Sequence, residues 1–182
     1  MPLSFNPNPA SNARFSPFQR ADKSTVASLY AGDSVKAALM ETVFHEVSVP
    51  SSKAILAQHA ISARRWVITR IEATQSLALV DLTSPGLRRI GLSRSDLIDT
   101  NATSYSTTQK FARDLYMHFP NAQGIRWVSR LYDEGVCIVL WEDRIPSQIL
   151  VQSSTAVSVL TEPTMSEILD LVDQLDMRYL SA

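Results

Sequence analysis

A chain of 182 residues is long enough for one domain with a substantial buried core, and 45% hydrophobic against 19% charged residues indicates a globular protein. The 17 basic and 18 acidic residues give a net charge of −1, which disfavours direct binding to nucleic acid because such proteins usually carry a basic excess. No apolar stretch approaches the roughly 20 residues needed to cross a bilayer, and the N-terminus lacks the features of a signal peptide, so we expect a cytoplasmic protein.

The first predicted elements are an N-terminal arm, a strand and a helix, and the helix carries the acidic residue Glu41. Residues 1–12 hold three prolines and three asparagines and are predicted to form an extended N-terminal arm, with a single domain over 13–182. A strand over 25–31 ends at Gly32, and a helix follows that Asp33 or Ser34 can cap. Helical spacing predicts a buried stripe of Val35, Ala38, Leu39, Thr42 and Val43. Glu41 lies off that stripe, on an adjacent face with Ser34, Ala37 and His45.

The middle of the chain changes from helical to strand patterns. A second helix is predicted over 51–63, and strand-forming residues dominate 66–71 and 77–82. Ser84-Pro-Gly86 is typical of a turn. A short helix over 92–98 is expected to begin at Ser93.

The last third completes the predicted fold. A strong helix is predicted over 105–119, where it is stopped by Pro120, and its inward-facing stripe consists of Phe111, Ala112, Leu115, Tyr116 and Phe119. Strands follow over 125–131, 136–141 and 156–160. The final helix is predicted over 165–179, with Ile168, Leu169, Val172 and Leu175 facing inward. Helical crossovers between consecutive strands are irregular, which favours a single compact α+β domain with a mixed or antiparallel sheet flanked by helices.

The sequence lacks the motifs that most often mark a phosphate-binding or metal-binding site. We find no glycine-rich phosphate loop and no His and Cys cluster with metal-ligand spacing, so we expect no metal site. The single cysteine, Cys137, lies in an apolar run and is interpreted as a small buried hydrophobe. The three histidines are interpreted as packed or surface residues; they are His45, His59 and His118.

Four polar or aromatic residues remain as candidates for a shared site: Arg14, Tyr30, Glu41 and Ser129. Each also has a purely structural interpretation. Arg14 suits a solvated arginine, Glu41 an exposed helix residue, and Ser129 an outward-facing strand residue. Spacing alone leaves both interpretations open.

These residues lie in segments that resemble the RES domain, a family named for its Arg, Glu and Ser. The matching segments are ARFSP at 13–17, LYAGDS at 29–34, AALMETVFH at 37–45, YSTTQ at 105–109 and GIRWVSR at 124–130, together with the pair Asp143 and Arg144. Order and spacing both agree over most of the chain. Two positions depart from the family pattern: Ser11-Asn-Ala13 stands where glycines are frequent, and Trp127 where tyrosine is frequent.

The resemblance implies a toxin of a bacterial toxin–antitoxin pair, with a fold similar to ADP-ribosyltransferases, that depletes NAD. It implies an NAD site made of Arg14, Tyr30, Glu41 and Ser129, with Arg130 as a further phosphate contact. NAD would then be the substrate, with no separate cofactor. The implied partner is a helix-turn-helix antitoxin that covers the active site.

The chemistry implied is cleavage of the nicotinamide–ribose bond through an oxocarbenium-like transition state. Glu41 would stabilise the cation, Tyr30 would stack on nicotinamide, and Arg14 would hold the pyrophosphate or ribose. The acceptor is expected to be water or phosphate. A protein ADP-ribosyltransferase and an inactive antitoxin-binding module remain alternatives, and the final helix leaves a homodimer open.

Overall fold

A computed structural model describes residues 3–45, 47 and 54–181. Its helices and strands are, in chain order, β1 (Ser28–Gly32), α1 (Val35–Met40), β2 (Ile55–Ala57), α2 (Gln58–Arg64), β3 (Val67–Ile68), β4 (Ile71–Ala73), β5 (Leu79–Asp81), α3 (Ser84–Arg89), α4 (Arg94–Leu97), α5 (Tyr105–His118), β6 (Gly124–Val128), β7 (Val136–Trp141), β8 (Leu150–Gln152), β9 (Val157–Ser158), α6 (Thr164–Gln174) and β10 (Arg178–Leu180). None of the helices in these ranges is long and apolar enough to span a membrane.

The main sheet has four strands in the order β1-β7-β6-β5. Strand β7 pairs antiparallel with β1 and β6, whereas β5 pairs parallel with β6, so the sheet is mixed. The apolar sequence of β7 is explained by its central position, where Val139, Leu140 and Trp141 are almost fully buried. The prediction of an α+β domain with a mixed sheet flanked by helices is therefore confirmed.

Two hydrophobic clusters hold the helices in place. In the first, alternate residues of β7 (Cys137, Val139 and Trp141) pack with Ala112 and Leu115 of α5, as the period of two in a strand requires. The second cluster joins α1, α2 and α6, through residues such as Leu39, Ile61 and Ile168. Helix α1 is thus fixed between β1 and α6, beside the end of the central strands.

Several local predictions are confirmed. Ser34 caps α1 by accepting a hydrogen bond from the Ala37 backbone N–H at 3.1 Å. Ser93 opens α4 with a capping box completed by Asp96. Helix α5 occupies almost the whole predicted span, since its apolar stripe and the following Pro120 are strong local signals.

Two predicted helices are wrong at their ends because the chain pairs there over a long range. Residues 55–57 form β2, which pairs parallel with β10, and the helix covers 58–64; residues 51–53 lie outside the described residues. The final helix ends at Gln174, because Asp176 adopts φ 49° and redirects the chain into β10. Strand pairing between distant segments overrides local helix propensity at both places.

Three further predictions are corrected. Ser84-Pro-Gly86 begins α3 instead of forming a turn, because Pro85 lies in the first helical turn, where a missing N–H is tolerated. The predicted strand at 66–71 is divided into β3 and the start of β4, which pair with different partners. The expected strand at 156–160 is only the two residues of β9.

Some residues predicted to face inward are exposed instead. Helix α1 ends at Met40, so the residues after it, including Thr42, do not continue the predicted helical stripe. The buried residues of this region are Ala37, Leu39, Met40 and Val43. The exposed residues among those predicted to be buried are Val35, Thr42, Phe119, Leu169 and Leu175. The early end of each helix accounts for Thr42, Phe119 and Leu175, which lie beyond the last helical residue.

Candidate active site

A cavity of about 340 Å³ lies at the end of the main sheet, between the N-terminal segment and α1. Its lining includes Ala13 and Arg14, Tyr30 to Gly32 of β1, Ala37, Ala38 and Glu41, Tyr105 of α5, and Trp127 and Cys137 of the central strands. Three of the sequence-predicted site residues, Arg14, Tyr30 and Glu41, therefore face one cavity. Ser129 lies directly behind Glu41 and does not line the cavity itself.

Glu41 is the residue at which α1 ends. Its backbone N–H still bonds to the Ala37 carbonyl, but its φ and ψ of −86° and 2° leave the helix. The sequence placed Glu41 within a longer helix, and this part of the prediction is wrong because α1 stops at Met40. The consequence is that the Glu41 side chain extends from the helix end into the cavity.

Ser129 orients the Glu41 carboxylate. It follows the last residue of β6, is 0% exposed, and donates a hydrogen bond of 2.6 Å from Oγ to Glu41 Oε1. The same Oγ accepts from the backbone N–H groups of Leu131 and Tyr132, both at 3.0 Å. With both acceptor positions used, the hydroxyl proton is directed at Glu41. The interpretation of Ser129 as an outward strand residue is wrong.

Tyr30 presents part of its ring to the cavity and anchors its hydroxyl in the protein. The residue is 38% exposed, and its phenol oxygen accepts from Phe15 N and Ser16 Oγ, each at 3.1 Å. The ring stands edge-on to Trp127, with centroids 6.1 Å apart. Burial raises the pKa of Tyr30 to about 12. Tyr30 is therefore a neutral phenol at physiological pH.

Arg14 is a buried cation held by backbone oxygens. It is 8% exposed; Nη1 donates to the Leu97 carbonyl at 3.0 Å and to Thr100 Oγ1 at 2.6 Å, and Nη2 donates to the Thr100 carbonyl at 3.2 Å. Its guanidinium lies 5.4 Å from the Tyr105 ring centre. Desolvation lowers the pKa of Arg14. The alternative interpretation of Arg14 as a solvated surface arginine is wrong.

The charge of Arg14 bears on the kind of ligand that the cavity suits. Within residues 3–45, 47 and 54–181, no carboxylate forms an ion pair with it. Arg130 is close enough for its like charge to lower the pKa of Arg14 further, although Arg130 does not line the cavity. A buried guanidinium in the cavity wall, with a second positive charge near it, favours an anionic ligand there.

Helix α5 fixes the segment that carries Arg14. The Thr108 hydroxyl donates to the Arg14 carbonyl, and Gln109 Nε2 donates to the carbonyls of Ala13 and Ser16 at 2.9 and 3.1 Å. Thr108 is fully buried. The YSTTQ segment therefore acts by holding the backbone of residues 13–16 at the cavity.

Several lining residues were missed from the sequence. His45 was interpreted as a packed or surface residue, yet it lines the cavity with Thr42 and Asn12. Cys137 is 3% exposed, which confirms its predicted burial, and it also reaches the cavity wall. Burial and the charges of Glu41 and Asp33 raise the pKa of its thiol to about 12. The position of His45 four residues after Glu41, within the same motif, was the one signal available for it.

The cavity offers one carboxylate, one buried guanidinium and aromatic rings, a set that suits a small organic ligand with an anionic group. Across the described ranges, no group of three or more His, Cys, Asp or Glu side chains is arranged to hold a metal ion.

Comparison with known families gives a match to the RES domain over residues 1–161. No curated protein and no solved structure matches the chain. The expected similarity to ADP-ribosyltransferases therefore stays a prediction.

Proposed function

Because the chain belongs to the RES domain family, we propose that it is an enzyme that cleaves the nicotinamide–ribose bond of NAD. The observation that carries this proposal is the shared cavity lined by the Glu41 carboxylate and by the buried Arg14, which forms no ion pair with any carboxylate that the structure describes. A carboxylate suits the cationic sugar, and a guanidinium suits the pyrophosphate of the same substrate.

The proposed reaction begins with departure of nicotinamide. Because the nicotinamide nitrogen of NAD is positively charged, it takes the bonding electron pair and leaves as a neutral base without protonation. The ribose carbon then approaches an oxocarbenium ion, which water or phosphate attacks to form ADP-ribose or its phosphate ester. Glu41 stabilises this cation and accepts a hydrogen bond from a ribose hydroxyl.

Ser129 acts on this step through Glu41. Its hydroxyl fixes the carboxylate through one oxygen, and a carboxylate has further acceptor capacity for the ribose. This arrangement reduces the rotation that Glu41 must lose in the transition state. Ser129 is thus a positioning residue in this proposal and has no direct contact with NAD.

The binding groups fit the two ends of the cavity. Three of the five N–H groups of Arg14 bond to the protein, which leaves the Nε–H and one Nη2 hydrogen for a pyrophosphate oxygen. Arg130 adds a second positive charge near Arg14. Tyr30, backed by Trp127, offers an aromatic surface for nicotinamide. At about 340 Å³ the cavity is near the lower end for small-molecule sites, which suits the nicotinamide riboside half of NAD.

A toxin role follows if the activity is unrestrained, since loss of NAD stops metabolism. We therefore also propose a helix-turn-helix antitoxin as partner, covering the cavity mouth and excluding NAD. Its support is the family membership and the open position of the cavity at the protein surface.

The test is incubation of the purified protein with NAD labelled in its adenylate half, with and without phosphate, followed by identification of all products. The proposal expects free nicotinamide and a labelled small molecule, either ADP-ribose or its phosphate ester. Label bound covalently to protein would instead show an ADP-ribosyltransferase. Intact NAD at high enzyme concentration would contradict the proposal and favour an inactive antitoxin-binding module.

A further inference from the structure

A single short segment contacts both the residue that orients Glu41 and the residue proposed to bind pyrophosphate. We propose that residues 93–100, which contain α4, set the distance between these two parts of the site, with Arg94 and Thr100 as its positioning residues. The proposal rests on the proposed function for its kinetic readout, but its structural readout is independent of NAD.

Arg94 holds the chain at Ser129. Its Nη1 donates to the Val128 carbonyl at 3.3 Å and its Nη2 to the Ser129 carbonyl at 3.2 Å. Nη2 also forms an exposed ion pair with Asp99 at 3.0 Å, which contributes little to the position of the guanidinium beside the two carbonyl contacts. Because the strand ends at Val128, these bonds replace ladder contacts that the backbone would otherwise lack.

Thr100 performs the corresponding task for Arg14 at the other end of the segment. Its hydroxyl and its carbonyl both accept from the Arg14 guanidinium, and its hydroxyl also bonds to the Leu97 carbonyl at 3.3 Å. Arg14 therefore receives three acceptors from one turn of chain. This fixes the plane of the guanidinium and decides which N–H groups remain for a ligand.

The segment is rigid enough to transmit these constraints. Its start is closed by the Ser93 and Asp96 capping box, and Leu97 and Ile98 are buried in the first hydrophobic cluster. A movement of the segment would thus shift Ser129 and Arg14 together. Direct contact of α4 with substrate is unnecessary in this proposal, since no residue of 93–100 lines the cavity.

Steady-state kinetics should distinguish the effect of Arg94 from the effect of Thr100. Arg94→Met should lower kcat about tenfold with KM for NAD nearly unchanged, because Glu41 acts mainly in the transition state. Thr100→Val should raise KM about tenfold with a smaller change in kcat, because the pyrophosphate is bound in both states. Arg94→Lys keeps the charge but loses the two-pronged contact, and should rescue little.

Three control variants exclude trivial causes. Asp99→Asn removes the ion pair but leaves the two carbonyl contacts of Arg94, and Arg89→Met removes an exposed arginine of α3. Ile61→Val loosens the second cluster, far from α4, and controls for lost stability. All three should retain wild-type kcat and KM.

A readout without NAD uses Cys137, the one cysteine of the chain, which lies beside Glu41. Its alkylation by iodoacetamide under native conditions reports how tightly the site is closed. Arg94→Met should accelerate labelling severalfold, whereas Asp99→Asn and Ile61→Val should not. Unchanged kcat and labelling in Arg94→Met, with an active wild type, would overturn the inference. A wild type that consumes no NAD, but with accelerated labelling in Arg94→Met, would overturn the proposed function and retain the positioning role.

Discussion

Ser129 donates a hydrogen bond of 2.6 Å to the Glu41 carboxylate, although 88 residues separate the two in sequence. The contact joins the residue that follows β6 to the residue at which α1 ends. Because Ser129 Oγ also accepts from two backbone N–H groups, the bond has a fixed direction. The carboxylate is thereby oriented before any ligand binds.

Replacing Ser129 tests this orientation. Ser129→Ala should reduce the rate of NAD consumption by about 100-fold, the effect expected of a misplaced catalytic group. It also leaves the partly buried N–H groups of Leu131 and Tyr132 without their acceptor, so unfolding in urea should show a loss of about 1–3 kcal/mol. Ser158→Ala is the control, since Ser158 Oγ accepts from Leu160 N at 3.2 Å far from the cavity. A wild-type rate in Ser129→Ala would exclude the positioning role.

Arg14 should not tolerate a lysine. The arginine fork contacts Leu97 and Thr100 and still has N–H groups left for a ligand. Arg14→Lys retains the charge but has too few N–H groups, in the wrong geometry, to do both. We expect KM for NAD to rise at least about tenfold, with a smaller fall in kcat, in steady-state assays. Arg89→Lys, on the exposed surface of α3, should behave as wild type. An unchanged KM in Arg14→Lys would remove Arg14 from the binding site.

Cys137 gives a pH dependence of stability. Its thiol pKa is about 12 in the folded protein against an ordinary 9.0, so the unfolded chain loses its proton first. This contribution is fully present below pH 9 and is lost as the pH rises towards 12, with a slope of at most about 1.4 kcal/mol per pH unit. Urea unfolding between pH 9 and 11 should show a steeper decline for wild type than for Cys137→Ala. The difference in unfolding free energy between the two proteins at pH 7 gives the effect of the lost packing alone. Parallel plots of unfolding free energy against pH would contradict the raised pKa of Cys137.

Gly32 permits the close approach of α1 to β1. A Cβ at this position would lie 2.8 Å from Ala38 N and 3.0 Å from Ala37 Cβ, so Gly32→Ala must displace the helix that ends at Glu41. We expect a loss of about 1–3 kcal/mol in stability and at least a tenfold loss of NAD consumption.

The control for Gly32 is Gly91→Ala. Gly91 has φ +74° but nothing within 4 Å of an added Cβ, so the variant bears about 1 kcal/mol of backbone strain without moving α1. Gly91→Ala should therefore lose stability but keep its activity. Equal activity in the two variants would show that the position of α1 does not matter to the site.

Local signals in the sequence predict the elements that are stabilised locally. Helix α5 follows from its apolar stripe and Pro120, and the cap of α1 follows from the short hydroxyl side chain of Ser34. Strands β2 and β10 were missed because each is stabilised by the other across more than 120 residues, a contact that no local pattern encodes.

The candidate site shows the same division. The motif around Glu41 and the residues Arg14 and Tyr30 could be identified from order and spacing. The hydrogen bonds of Arg14 to Leu97 and Thr100, and the place of Cys137 beside Glu41, depend on how α4 and β7 pack, which no local sequence pattern encodes. Those contacts determine which hydrogen-bond donors remain for a ligand.

The most direct measurement is NAD consumption by purified Glu41→Gln beside wild type, with Glu134→Gln, an exposed residue that bonds to Tyr132, as the matched control. Glutamine preserves the size of the side chain and can still accept from Ser129, so the fold should be retained while the charge that stabilises the sugar cation is lost. We expect rapid loss of NAD with wild type and Glu134→Gln and loss that is at least about 100-fold slower with Glu41→Gln. A folded Glu41→Gln protein that consumes NAD at the wild-type rate would contradict the catalytic role of Glu41.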